Sequence, residues 1–427
     1  LMRHLSTPRT PFSLSQPAPI VPPMMMRLLP LLLLLLAACT PNTRLATSEP
    51  RPPLILISVD GLRADYLDRG ITPNIAALAA GGARAAMRPS FPSLTFPNHY
   101  TLVTGLRPDR HGIVNNNMED PALGKFALSN RDAVTDRRWW DAAEPIWVTA
   151  ENAGIPTATM FWPGSEAAIH GVRPRQWLTF DAALPNPARV TQVLAWLGQL
   201  QRPGLVALYF DSVDHDGHAF GPDSPQVNTA IAEVDARIGD LVAGLRAKAL
   251  AANIVLVADH GMAAVARERT VLLADLLPAG SYRLVAGGAV AAIVPADGQA
   301  AVVEAALRKP HDHMRCYRKG ELPKALHYGA NPRVPPLVCL AAPGWLIFAD
   351  PAKPDAGPLA GMHGYDPALP DMAAAFVANG PAFRAGTRLR SFDNVDIYPL
   401  LMRLLDLKPL ASDGTIAPLR PALAAVR

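Results

Sequence analysis

The sequence predicts an α/β fold with a central, mostly parallel sheet flanked by helices on both faces. Two observations carry this. Three short apolar runs without alternation, Leu54–Val59, Leu205–Phe210 and Asn253–Ala258, have the pattern of fully buried parallel strands. Each runs straight into an acidic or histidine-bearing loop: Asp60-Gly61, Asp211-Ser212-Val213-Asp214-His215-Asp216-Gly217-His218, and Asp259-His260-Gly261. The C-terminal edge of an open α/β sheet is where ligands bind, so three such loops at three strand ends point to one site.

The remaining elements follow in order. Thr72-Pro73-Asn74 opens an Ala-rich helix to about Ala80. Residues 143–153 read as a helix ended by Gly154, and 157–161 as a strand. Residues 187–200 have helical apolar spacing through Val190, Val193, Leu194 and Leu197, and 224–250 form a long amphipathic helix. Residues 270–350 are less regular and read as a smaller subregion, with a helix over 300–307 and strands over 337–341 and 344–349. A strand over 373–377 and a helix over 395–407 complete the chain.

The 427 residues are 50% hydrophobic, enough for a large core. The net charge is +4, and Arg3, Arg9 and Arg27 precede any acid, so residues 39 onward carry only +1. No Lys/Arg-rich run or nucleic-acid-binding signature is present. Met24-Met25-Met26-Arg27, the leucine-rich run 28–36 and Ala37-Ala38-Cys39 read as an export signal, too short for a comfortable membrane span. Residues 1–38 are therefore assigned to an over-extended start plus this signal, 39–52 to a tether and 53–427 to a single catalytic domain. Leu36-Ala37-Ala38-Cys39 resembles a bacterial lipobox, which makes Cys39 a lipid anchor in the cell envelope; plain cleavage at the Ala pair is the alternative. Lipidation of Cys39 leaves one cysteine pair in an oxidising compartment. A Cys316–Cys339 disulfide is then expected, against two buried free thiols.

Residues 90–116 carry the chemistry. Pro97 can open a short helix over 97–104 whose N-terminus points back at Thr95. Free N–H groups there stabilise an anion such as phosphate, and the Thr95 hydroxyl would face its phosphorus. Something must ionise that hydroxyl. Asp60, Asp214, His218, Asp259, His260 and His363 are oxygen and nitrogen donors suited to Zn²⁺. Two ions would polarise a phosphate and stabilise both attacking and leaving oxygens. His111 reads as ordering its own loop, His215 lies off the ligand spacing, and His311-Asp312-His313 reads as a solvated loop.

The ordered motifs resemble the nucleotide pyrophosphatase/phosphodiesterase family of the alkaline phosphatase superfamily. They are Val59-Asp60-Gly61, Thr95-Phe96-Pro97-Asn98-His99, His111-Gly112-Ile113 with Asn116, Phe161-Trp162-Pro163-Gly164-Ser165-Glu166, Asp214-x3-His218 with Gly221-Pro222, Ala258-Asp259-His260-Gly261-Met262 and His363-Gly364-Tyr365. The resemblance implies an alkaline phosphatase-like fold and two zinc ions per chain. One would be held by Asp214, His218 and His363, the other by Asp60, Asp259, His260 and the Thr95 oxygen. It makes Thr95 the nucleophile, and has Asn116 and the Thr95 and Phe96 N–H groups hold a phosphate oxygen. Phe96 and Tyr209, with Phe180 as a third ring, would flank a nucleobase. The implied reaction is hydrolysis of nucleotide diesters or pyrophosphates through a phospho-threonine, releasing a nucleoside monophosphate. The alternatives are a phosphate monoesterase or phosphonate hydrolase on the same fold, or a non-catalytic surface lipoprotein. One departure from the family pattern is Asp211-Ser212-Val213, where an acidic residue and Pro are common.

Overall fold

Strand Leu54–Val59 lies in the middle of a nine-stranded mixed sheet in the computed structural model, which describes residues 51–350 and 359–425. Leu205–Phe210 and Asn253–Val257 flank it, both parallel, with Val59 opposite Phe210 and Ser58 opposite Val257. All three strands are buried end to end, as central strands covered on both faces must be. Their aligned registers bring Asp60, Asp211 and Asp259 to one edge. Thr157–Met160 and Gln176–Trp177 extend the sheet in parallel beyond Leu205–Phe210. On the other side Ala374–Asn379 runs antiparallel between Asn253–Val257 and Ala83–Arg88.

Helices cover both sides of the sheet. The longest, Pro225–Ala247, starts where Ser224 Oγ accepts the Val227 N–H, and it buries Val227, Ile231, Val234, Ile238, Leu241 and Leu245 at three- and four-residue spacing. Asp235 on the same face is buried because it caps a neighbour. Its carboxylate accepts the Asn74 and Ile75 N–H groups at the start of helix Pro73–Ala80. No helix among the described residues is long and apolar enough to cross a membrane.

Three regions differ from the sequence expectation. Residues 212–220, read as a loop, form helix Ser212–Phe220. Asp, His and Gly are weak helix formers, and tertiary contact overrides them here. Gly217 leaves room for Met262, whose Cε would lie 2.8 Å from a Cβ at that position. The subregion is more regular than its sequence suggests. It is a four-stranded antiparallel sheet in the order Tyr282–Ala286, Val290–Pro295, Leu337–Ala341, Met314–Arg318, with helix Ala300–Leu307 on its own small core. Cys316 and Cys339 face each other across its last pair and are disulfide-bonded. A hairpin of Asn117–Asp120 and Gly124–Ala127 had no strong strand signal. The export signal and Cys39 lie outside the described residues.

Glycines let backbone crowd the active edge. A Cβ on Gly261, next to His260, would sit 2.1 Å from the Asp371 carbonyl oxygen. Gly261→Ala is therefore expected to destabilise the fold by about 1–3 kcal/mol through overpacking, read as a lower urea midpoint. An unchanged midpoint would contradict the close approach.

Candidate active site

Helix Thr95–Thr104 begins two residues earlier than expected, so Thr95 is its first residue rather than a residue facing its end. Pro97 sits within the first turn, where its missing N–H needs no partner; the first internal bond is Asn98 N–H to the Leu94 carbonyl, 3.1 Å. Asn98 anchors this turn. Its side chain accepts the Ser90 N–H and donates to the Pro92 and Leu94 carbonyls. His111, fully buried and held down to a pKa of about 3 by burial, lies within hydrogen-bonding distance of Thr101 Oγ1 (3.0 Å) and accepts the Ile113 N–H (3.2 Å). It ties the loop leading to Asn116 onto the Thr95 helix.

All seven sequence-derived donors converge at the sheet edge. The three histidines are oriented alike. Each Nδ1 meets a backbone carbonyl: His218 to Gly361 (3.0 Å), His260 to Gly261 (2.9 Å) and His363 to Ser93 (2.8 Å). A carbonyl only accepts, so each Nδ1 carries a hydrogen and Nε2 is the ring atom aimed inward. His218 Nε2 and His363 Nε2 lie 3.1 Å apart, and the His260 and His363 rings stack at 3.6 Å. His260 Nε2 is 3.3 Å from Thr95 Oγ1, 2.9 Å from Asp259 Oδ2 and 3.5 Å from Asp60 Oδ1. Asp214 sits on one face of its helix with His218, four residues on, their Nε2 and Oδ2 3.4 Å apart.

Each carboxylate keeps one buried oxygen without a hydrogen bond: Asp60 Oδ1, Asp214 Oδ1 and Asp259 Oδ2. Orphaned buried carboxylate oxygens beside converging imidazole Nε2 atoms are costly without a cation. The donor set therefore fits metal ions. Two triads have ligand atoms all within 4.8 Å of one another: Asp214, His260 and His363, and Asp60, His99 and Asp259, a grouping with His260 in the first set and His99 in the second where the resemblance places His218 and His260.

The charged groups act on one another. Burial, with the Asp259 and Asp214 carboxylates, raises Asp60 well above the usual carboxyl range, against the Tyr209 hydrogen bond. Burial acts the same way on Asp259, but His260 and His99 outweigh it and leave that carboxyl below its ordinary value. Burial, with His260 and His218 beside it, holds His363 well down, in the neutral form that can ligate.

His99 is the residue the sequence reading missed. It lies four residues after Thr95 on the same helical face, which was the available signal. Its Nδ1 is 2.8 Å from the Thr95 carbonyl and 3.4 Å from Asp259 Oδ2, and its Nε2 is 2.8 Å from Ser58 Oγ. Both nitrogens are thus engaged, and His99 braces the site from behind.

A cavity of about 570 Å³ is lined by Asp60, Thr95, Asp214 and His218 together with Phe96 and Tyr209. Phe180 also lines it, with its ring 6.2 Å from that of Tyr209. Arg131 in its wall pairs with the buried Glu166, which accepts the Phe180 N–H. The Phe96 N–H, expected to meet a phosphate oxygen, instead donates to Asn116 Oδ1 at 2.9 Å. Asn116 is fixed to the helix by that bond, which leaves its side-chain amide N–H as the donor. Tyr209 is more buried than a simple stacking platform, and its hydroxyl donates to Asp60 Oδ2 at 2.6 Å. Arg107 and Arg110 are engaged elsewhere, with Asp393 and Asp413, and neither lines the cavity.

Residues 54–366 match the family model for type I phosphodiesterase / nucleotide pyrophosphatase. Human ectonucleotide pyrophosphatase/phosphodiesterase family member 5 is 34% identical over 89% of this chain and 80% of its own length. The Xenopus laevis bis(5'-adenosyl)-triphosphatase is 36% identical over 87% and 81%. Among solved structures, human ectonucleotide pyrophosphatase/phosphodiesterase 5 superposes with a TM-score of 0.84 at 34% identity, over 87% of this chain and all of that one. An inactive threonine-to-alanine variant of the mouse protein, in complex with AMP, superposes with a TM-score of 0.83 at 34% identity, over 88% of this chain and all of that one. The converging donors, the alkaline phosphatase-like fold and these matches lead to one conclusion: the chain is an enzyme of the type I phosphodiesterase/nucleotide pyrophosphatase family.

Proposed function

We propose that this enzyme is a two-zinc hydrolase of nucleotide phosphodiester or pyrophosphate bonds, working through a phospho-threonine at Thr95 and releasing a nucleoside monophosphate. The carrying observation is the set of three orphaned carboxylate oxygens and converging Nε2 atoms beside the Thr95 hydroxyl. Asp60, Asp259, His260 and Thr95 would hold one ion, and Asp214, His218 and His363 the other. Bound zinc would supply Lewis-acid polarisation of the phosphate and lower the pKa of the attacking hydroxyl.

The chain's own groups supply the rest. The Thr95 helix presents its hydroxyl with free N-terminal dipole behind it. Asn116 donates from its amide to a non-bridging oxygen. Phe96 and Tyr209 wall the slot for a base, with Phe180 at the rim. The mouse relative's complex with AMP supports a nucleotide product, and its inactivation by a single threonine-to-alanine change supports a threonine nucleophile. The Cys316–Cys339 disulfide fits the exported, oxidising location expected from the N-terminal signal.

A diester is favoured over a monoester. A monoester brings an extra negative charge, and Arg107 and Arg110, which could have met it, are held by Asp393 and Asp413. Steady-state kinetics on a nucleotide aryl diester and an aryl monoester test this. Diester kcat/KM is expected to be much the larger, and Thr95→Ala to lower diester turnover about 10⁴-fold or more with zinc retained. Monoester kcat/KM equal to the diester's, or near-normal turnover in Thr95→Ala, would sink the reading.

Metal binding at the donor cluster should also show in stability. Asp60→Asn is expected to lose most of the rise in melting temperature that zinc gives wild type. A rise as large as wild type's in the variant would contradict the account.

A further inference from the structure

Tyr209 has two separate engagements. Its ring borders the cavity beside Phe180, where a base is expected. Its hydroxyl points the other way, to Asp60 Oδ2 at 2.6 Å. That bond occupies one oxygen of Asp60 and leaves Oδ1, 3.5 Å from His260 Nε2, as the carboxylate's only unpartnered atom. The phenol is held rigidly. The His99 ring meets it edge-on at 5.2 Å and 83°. The buried Arg189 donates to the Tyr209 carbonyl (3.1 Å) and to Asp211 Oδ1 (2.8 Å), fixing the strand end that carries it. A ring needed only for stacking would gain nothing from a buried hydroxyl, which must find a partner.

We propose that Tyr209 is a positioning residue for Asp60: its hydroxyl locks the carboxylate so that Oδ1 alone faces the donor cluster. The inference rests on the metal-assisted reading above and goes beyond it. It makes one side chain both a wall of the substrate slot and the support of a metal ligand. The base and the cation site then share one rigid element.

Two variants of the full chain separate the roles. Tyr209→Phe keeps the ring and removes the hydroxyl; Tyr209→Leu removes both. Zinc affinity is measured by competition with a chromogenic chelator. Kinetics at saturating zinc use a nucleotide aryl diester and a bis-aryl phosphate, which has no base. In Tyr209→Phe, zinc affinity is expected to fall about 10–100-fold, as for other outer partners of metal ligands. Its kcat should fall by the same factor on both substrates, with KM little changed. Tyr209→Leu should add a rise in KM for the nucleotide ester only. Unchanged zinc affinity in Tyr209→Phe overturns the proposal. So does a lower metal-free melting temperature as that variant's only change, which would mark the hydroxyl as merely structural. Wild type inactive on both esters would overturn the diesterase reading instead, and the affinity measurement would still judge Tyr209.

Discussion

Two carboxylates buried at the ends of adjacent strands, Asp60 and Asp259, meet a third, Asp214, on the helix that follows Leu205–Phe210, and the surroundings of the site are organised by their mutual repulsion. Asp60 and Asp259 are withdrawn from water, and Asp214 is largely so. Burying charges this close costs several kcal/mol each unless opposite charge and hydrogen bonds compensate. Part of the compensation is internal. Tyr209 bonds one oxygen of Asp60, and Gly61 N–H reaches Asp259 Oδ1 at 3.2 Å. One oxygen of each carboxylate remains outside this scheme. A folded protein tolerates such a residue of uncompensated charge where function uses it, and a cation is the simplest partner for three anionic oxygens and several imidazole nitrogens.

The rest of the fold holds that arrangement in place. Parallel register sets the height of Asp60 and Asp259, because their strands are hydrogen-bonded neighbours. Glycines then permit the close backbone approaches that bring in the remaining donors: Gly61, at φ +68°, turns the chain beside Asp214, and Gly361 lets the His363 segment pass the Gly217 carbonyl. The backbone carbonyls on the histidine Nδ1 atoms fix both tautomer and ring direction, the support that imidazole ligands generally need. The Thr95 helix is pinned from below by Asn98, by His99 and by His111. The position of the Thr95 hydroxyl is therefore over-determined by buried polar bonds rather than left to side-chain freedom.

Much of this was legible in the sequence, for identifiable reasons. Leu54–Val59 and Leu205–Phe210 stand where the uninterrupted apolar runs place them, because only a strand buried on both faces tolerates such runs. Asp60, Asp259 and His260 were legible because they follow directly on buried apolar runs, at the sheet edge where ligands bind. Helix Ser212–Phe220 was not, since Gly217 and its polar neighbours carry no helical signal without Met262 against them. The antiparallel subregion was obscured because Tyr282–Ala286 and Met314–Arg318 are partly exposed and carry arginines in place of an uninterrupted apolar run. His99 was hidden by a helix start placed at Pro97; moved back to Thr95, the i, i+4 relation is plain. The Tyr209–Asp60 bond joins residues 149 apart and had no local signature.

The central claim is that this edge of the sheet is a two-ion centre. Metal analysis of the full chain, reconstituted with zinc and freed of loosely bound ions, tests it most directly. The account predicts two zinc ions per chain in active protein, and one in a variant such as Asp214→Ala that removes a donor from one set. One ion or none in fully active wild type would contradict it.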